Sequence, residues 1–242
     1  LGDGADGNFE KRVSSHFVLY QDVDIRETGG LRGSRNFEDQ VLATLESAYR
    51  LVDTALGMRP RRAVYVTIYD PADFDARFAG LFRFPAAGFY GDSIHIRGGK
   101  ILDGRLIRVL HHEYVHAAFH AVAPSLVLPA WLNEGVSEWL EAHATGQRGL
   151  SRNQYAYLAN LAGNGSLYSF DQLSVPSFGR LPPRAATLAY LQSYAFIDYL
   201  VRTQGERRLS EFVGGVVRSG DIERSVRKSY RADLGRLEQR FV

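Results

Sequence analysis

His112-Glu113-Tyr114-Val115-His116 sets two imidazoles four residues apart with a carboxylate beside the first. On a helix, side chains at i and i+4 leave from one face, so both rings reach one ion at about 2.0–2.1 Å each. Glu113 then points toward the open side of that ion, where a carboxylate serves as general base for an attacking water. That chemistry suits hydrolysis of an amide bond. An ordinary helix with two histidines on a polar face carries the same five residues, so the surroundings have to decide.

The surroundings favour a metal. Apolar spacing before and after the motif predicts an amphipathic helix from about Gly104 to Ala121. A second helix is expected from Pro129 through Leu140, with the proline in its first turn. It carries Glu134, 18 positions after His116. A reversal after Ala121 lets the second helix lie antiparallel to the first and bring Glu134 up as third ligand. Two histidines and one glutamate leave a fourth position for water.

Together these residues resemble the gluzincin zinc metallopeptidases, the peptidase MA-like branch shared with thermolysin and the zinc aminopeptidases. His112, Glu113 and His116 match the first helix of that group, and Asn133-Glu134-Gly135-Val136-Ser137-Glu138 resembles its Asn-Glu-x-x-Ser-Asp element. The resemblance implies one Zn2+ per chain held by His112, His116 and Glu134. It also puts Asn133 and Glu138 behind the ligands, with Glu138 orienting His112, one methylene longer than the family's aspartate. The group holds its substrate on an edge strand just before the zinc helix, which implies Ala87 to Ile96, with Gly88, Phe89, Tyr90 and Gly91 as contacts and the glycines admitting a peptide backbone. A tyrosine in the C-terminal lobe supplies the oxyanion donor in related aminopeptidases; Tyr190 matches it, with Tyr194 one turn on as the alternative. The Gly-Ala-Met-Glu-Asn motif of classical zinc aminopeptidases is missing upstream, which favours endopeptidase action.

Other histidines are poor ligands. His120 continues the stripe, but eight helical residues put it about 12 Å along the axis from His112. His111 faces about 100° away from His112, and His143 lies more than two turns beyond Glu134. The third histidine of the metzincins has no counterpart, since Val122 stands where that pattern needs glycine.

The elements that must position these residues are legible in outline. Strands are expected at Ser15–Tyr20 and Ala63–Tyr69, with a helix from about Asn36 to Leu56 closed by Gly57 and a short helix or turn opening at Asp70-Pro71. One or two short strands follow over Gly88–Ile96, and helices over about Arg152–Ala162, Pro183–Gln204, Glu206–Val217 and two short segments to the C-terminus. Leu1 to Asn8 reads as a flexible leader. The expected fold is α+β and zincin-like: one catalytic domain over residues 1–242, a mixed-sheet lobe with the active-site helix (about 9–121) and a mostly helical lobe (about 122–242).

With 45% hydrophobic residues, 242 residues are enough for a real core. Apolar runs are short and interrupted, so no helical membrane span is expected. A net charge of +2 gives no strong field for nucleic acid. The absence of cysteine removes disulfides, thiolate metal sites and a cysteine nucleophile. Leu1 in place of an initiator, with Met58 the sole methionine, fits an exported enzyme whose leader has been cleaved, so a periplasmic, secreted or surface-associated location is expected; an arbitrary start point fits equally. The expected function is zinc-dependent hydrolysis of peptide or protein substrates, with a catalytically silent scaffold that kept structural zinc as the alternative. Retention of Glu113 speaks against the alternative, because a structural site has no use for a base.

Overall fold

The protein's structure, a computed structural model, describes residues 7–25 and 33–241. Most of the expected leader lies outside the described residues; at its end the Gly7 N–H donates to Asp22 Oδ2 at 2.8 Å. Among the described residues, five strands and ten helices form an α+β fold.

The strands β1 (Glu10–Val13), β2 (Phe17–Asp22), β3 (Val64–Tyr69), β4 (Gly88–Tyr90) and β5 (Ile94–Arg97) form one mixed sheet in the order β1-β2-β3-β5-β4. The three central strands run parallel, with Leu19 opposite Val66 and Ile68 opposite Ile96, while β1 and β4 are antiparallel edges. In β3, Val66 and Ile68 are fully buried while the intervening Thr67 is only half-buried, the period-2 signature of a sheet face against a core. β1 was not expected, because Glu10-Lys11-Arg12-Val13 shows no apolar alternation; it is held by its ladder to β2 and by bonds to the helix that follows the first two strands, Arg12 to Glu38 and Ser34 Oγ to Glu10.

Helix α1 (Gly33–Leu56) packs on β2 and starts three residues before the expected Asn36. It ends at Gly57, whose φ of +67° suits only a residue without Cβ and whose N–H closes on Asp53 O at 2.8 Å. The short α2 (Pro71–Arg77) is capped by the Asp70 side chain. Helix α3 (Gly104–Val122) packs on α1, β4 and β5, and the Asp103 carboxylate accepts from Leu106 N at 2.8 Å to cap its start.

Helix α4 (Ala130–Ala144) lies between α3 and α7 (Pro183–Gln204). Pro129 is its N-cap rather than a first-turn residue, and the Ala130 N–H is used by Val175 O at 2.8 Å. At Gly135 a Cβ would stand 2.7 Å from Ser193 O, so glycine is what lets α4 and α7 approach this closely. Helices α5 (Arg152–Gly163), α8 (Glu206–Ser219), α9 (Ile222–Tyr230) and α10 (Leu234–Phe241) fall where periodicity expects them. The four-residue α6 (Phe170–Leu173) is too short to show a period. A continuous apolar core runs from Phe17 on β2 through Trp131 and Trp139 on α4 to Leu237 on α10.

Candidate metal centre

Helices α3 and α4 bring His112, His116 and Glu134 to one point. Glu134 Oε2 lies 3.1 Å from His112 Nε2 and 3.3 Å from His116 Nε2, and the three ligand-type atoms fall within 4.8 Å of one another. The other ring nitrogens are spoken for. His112 Nδ1 donates to Glu141 Oε2 at 3.1 Å, and His116 Nδ1 donates to Asn133 Oδ1 at 3.0 Å, with Ser137 Oγ 3.4 Å away. With both Nδ1 atoms donating elsewhere, both Nε2 atoms face Glu134, which they hydrogen-bond or approach as N–H groups and beside which they would ligate a metal once deprotonated.

One sequence expectation is corrected here. Glu138, expected to orient His112, has its nearest oxygen 3.8 Å from His112 Nδ1, beyond hydrogen-bond reach; Glu141 makes that bond. Glu141 is seven residues from Glu134, two helical turns, so it shares the ligand's face as well as position 138 does. It is further anchored by Arg108 Nε at 2.7 Å, four residues before His112 on α3. The i+7 spacing was the available signal for Glu141; nothing in the sequence ties Arg108 to it.

The electrostatics favour a bound cation. Glu113, Glu134, Glu138 and Glu141 crowd about two imidazoles, with Arg108 paired to Glu141. Burial alone would push His112 down, yet hydrogen bonds to Glu134 and Glu141 raise it well above its ordinary range. Burial likewise opposes ionisation of Glu134, but His116 and His112 overcome it and hold the carboxyl far below the usual carboxylate range. Glu113 is raised by burial against the pull of both histidines, and its Oε2 is a buried oxygen with no hydrogen-bond partner. Desolvation pushes Glu138 up to about 7 against the pull of His112, with Glu141 and Glu134 adding to the rise. Two nitrogens, a carboxylate oxygen and an unpartnered base beside them fit zinc in both donor type and count.

Two cavities flank this point, of about 860 and 630 Å³. They share Phe82, Gly88, His112, Glu113 and Tyr190, so the candidate centre is the waist between them. Above it, residues 81–87 cross toward the C-terminal half: Arg83 N donates to Gly179 O at 3.1 Å, and the Phe82 ring covers Gly179. Sequence reasoning passed over this crossing, which has no periodic pattern.

Tyr190 lines both cavities, and its hydroxyl is raised by burial and by Glu134, Glu113 and Glu138. Its ring packs edge-on to Phe178 and Phe84. Tyr194 is buried and lines neither cavity, and burial and Asp198 push it up to about 12, so the two tyrosines of one helix face are not equivalent.

β4 forms one edge of the sheet and lines the smaller cavity through Gly88, Phe89 and Tyr90, with Gly91 just beyond its end. The absent side chain of Gly88 has a packing role besides the expected one of admitting a peptide backbone. A Cβ there would meet Ile96 Cδ1 at 2.9 Å, His95 O at 3.0 Å and Val109 Cγ2 at 3.1 Å, so its missing side chain lets β4 seat on β5 and α3. Phe89 stacks on His95 with centroids 4.8 Å apart, and the Tyr90 hydroxyl bonds His120 Nδ1 at 2.9 Å. His111 turns to Ile107 O at 2.8 Å, and His143 to Trp139 O at 3.2 Å; neither enters the ligand set.

A mixed sheet packed on a helix pair that gathers two histidines and a glutamate defines a protein of zincin-like class. Residues 47–242 match the Peptidase MA superfamily, and the chain belongs to that superfamily. The chain is also 25% identical over 216 residues to the uncharacterized protein YhcO of Bacillus subtilis (strain 168), a match covering 82% of this chain and 62% of that relative. It thus spans less than two thirds of the relative's length.

Proposed function

We infer that the chain is a zinc-dependent peptidase with Glu113 as general base. The observation that carries this is the buried, unpartnered Glu113 Oε2 beside the convergent His112, His116 and Glu134 donors. A site built only to hold zinc structurally takes a fourth protein ligand and has no need of a free carboxylate. Superfamily membership supports the same chemistry.

Zinc held by these three residues supplies Lewis-acid activation of water and of the scissile carbonyl. Glu113 takes the water's proton at its unpartnered Oε2 as attack proceeds and passes it to the leaving amine. Glu141 and Asn133 fix the imidazoles in the ligating tautomer. Tyr190, whose raised pKa keeps its proton in place, donates to the developing oxyanion. The edge strand β4 and a cavity on each side of the waist suit an extended peptide running past the scissile bond in both directions, which favours endopeptidase action.

Metal analysis of the purified protein together with cleavage of a mixed peptide library tests this. One zinc per chain and internal cleavage are expected, with Glu113→Gln keeping the metal and losing turnover. A zinc-loaded protein that cleaves no peptide is instead a silent scaffold, and wild-type protein with no more zinc than His116→Ala has no such site.

A further inference from the structure

Glu138 faces His112 only at long ion-pair range, because of the way its neighbours are used. Glu141 takes both groups that would otherwise tie it down, His112 Nδ1 at 3.1 Å and the Arg108 guanidinium at 2.7 Å. Glu138 stays 3.8 Å from the same imidazole, an ion-pair distance too long for a hydrogen bond, and feels the charges of His112 and Arg108 without hydrogen-bonding to either. Its side chain, 31% exposed, opens onto the 860 Å³ cavity that also contains His112 and Glu113. On the peptidase reading, a side chain next to the scissile bond reaches this cavity.

The cavity also has an apolar wall, made by Phe82, Phe84, Pro85, Val109 and the Tyr190 ring, with Thr145 and Gln147 as its neutral polar side chains. An aliphatic stem with a cationic head fits this distribution, the stem along the apolar wall and the head at the carboxylate. Arg105 and Arg108 also border the cavity, but both are exposed, and Arg108 is matched by Glu141. Their charge is screened by water more than that of the half-buried Glu138.

Resting on the peptidase reading of the centre, we propose that this cavity is a specificity pocket for a lysine or arginine side chain flanking the scissile bond, with Glu138 as the recognising carboxylate. A free amino terminus offers the same cation without the stem and leaves the apolar walls uncovered.

The test uses the zinc-loaded full chain and amino-terminally acetylated peptides that differ only in Lys, Leu or Glu at the positions flanking the cleaved bond. Expected are a preference for Lys at one flank of about tenfold or more over Leu, its loss in Glu138→Gln mainly through KM, and a shift toward Glu in Glu138→Lys, with zinc content retained. A wild-type preference unaltered in Glu138→Gln overturns the assignment. So does cleavage of Lys peptides only when the amino terminus is unblocked, which makes the terminus the ligand. Binding of a lysine-containing tripeptide amide and its leucine counterpart to Glu113→Gln protein, measured by calorimetry, gives a second readout. If wild type cleaves nothing yet the tripeptides discriminate and Glu138→Gln abolishes the difference, the pocket stands and the peptidase reading falls. Equal binding of the two overturns the pocket whatever the activity.

Discussion

Replacing Glu141 should weaken zinc binding more than replacing Glu138, reversing the order the motif resemblance implies. His112 Nδ1 meets Glu141 at 3.1 Å with the Glu141 side chain only 10% exposed, whereas Glu138 stands at 3.8 Å with 31% exposed. A charge-assisted hydrogen bond in such a setting is worth about 1.5–3 kcal/mol. At about 1.4 kcal/mol per tenfold, that agrees with the roughly 10–100-fold affinity loss typical when a carboxylate behind a ligating histidine is removed. Glu141→Gln keeps an acceptor oxygen and loses only the charge, so about tenfold is expected; Glu141→Ala loses both and should approach a hundredfold. Arg108→Ala should cost less, under about 1 kcal/mol, because the Arg108 side chain is 47% exposed and its pairing with Glu141 is screened. Competition against a chromophoric chelator measures the affinities, and thermal melts of the metal-free proteins separate them from loss of fold. Zinc affinity unchanged in both Glu141 variants but reduced in Glu138→Gln would refute the geometry and return the orienting role to Glu138.

Tyr190→Phe should lower kcat by about 100-fold or more with KM and zinc content little changed, while Tyr194→Phe, at a buried residue that lines neither cavity, should alter stability instead; steady-state kinetics on one peptide with both variants decides. Gly135→Ala puts a methyl 2.7 Å from a backbone oxygen of α7, which a side-chain shift cannot relieve, so about 1–3 kcal/mol of stability should be lost in denaturant melts. Acidification should destabilise the fold partly through Glu46. Burial raises its carboxyl, but bonds from the His16 ring, Ser14 Oγ and His16 N outweigh this and set the folded pKa below the ordinary 4.5. Its stabilisation is therefore complete above about pH 4.5 and lost as pH falls through the lower folded value, and Glu46→Gln should flatten the acid limb of a Tm-against-pH curve for the metal-free protein.

His112, Glu113, His116 and Glu134 were legible in the sequence because they depend on helical periodicity, which fixes what shares a face before any packing occurs. The parallel core strands and long helices were legible for the same reason, with ends displaced by a residue or a few where capping and ladder bonds decide. β1 was not, since its polar residues are ordered by partners distant in the chain, the β2 ladder and Ser34 and Glu38 of α1. Periodicity also could not choose between Glu138 and Glu141, both of which share the ligand's face. The choice fell to the rotation of α4 against α3 and to Arg108, which reaches Glu141 from the other helix. Likewise, Tyr190 and Tyr194 are equivalent on a helical wheel and separate only because α7, seated on Gly135, turns one toward the cavities and buries the other. The crossing of residues 81–87 toward the C-terminal half belongs wholly to the tertiary structure: it joins segments nearly a hundred residues apart through the Arg83–Gly179 backbone bond and the contacts of Phe82 with Gly179 and Phe84 with Tyr190, none of which leaves a local pattern in the chain.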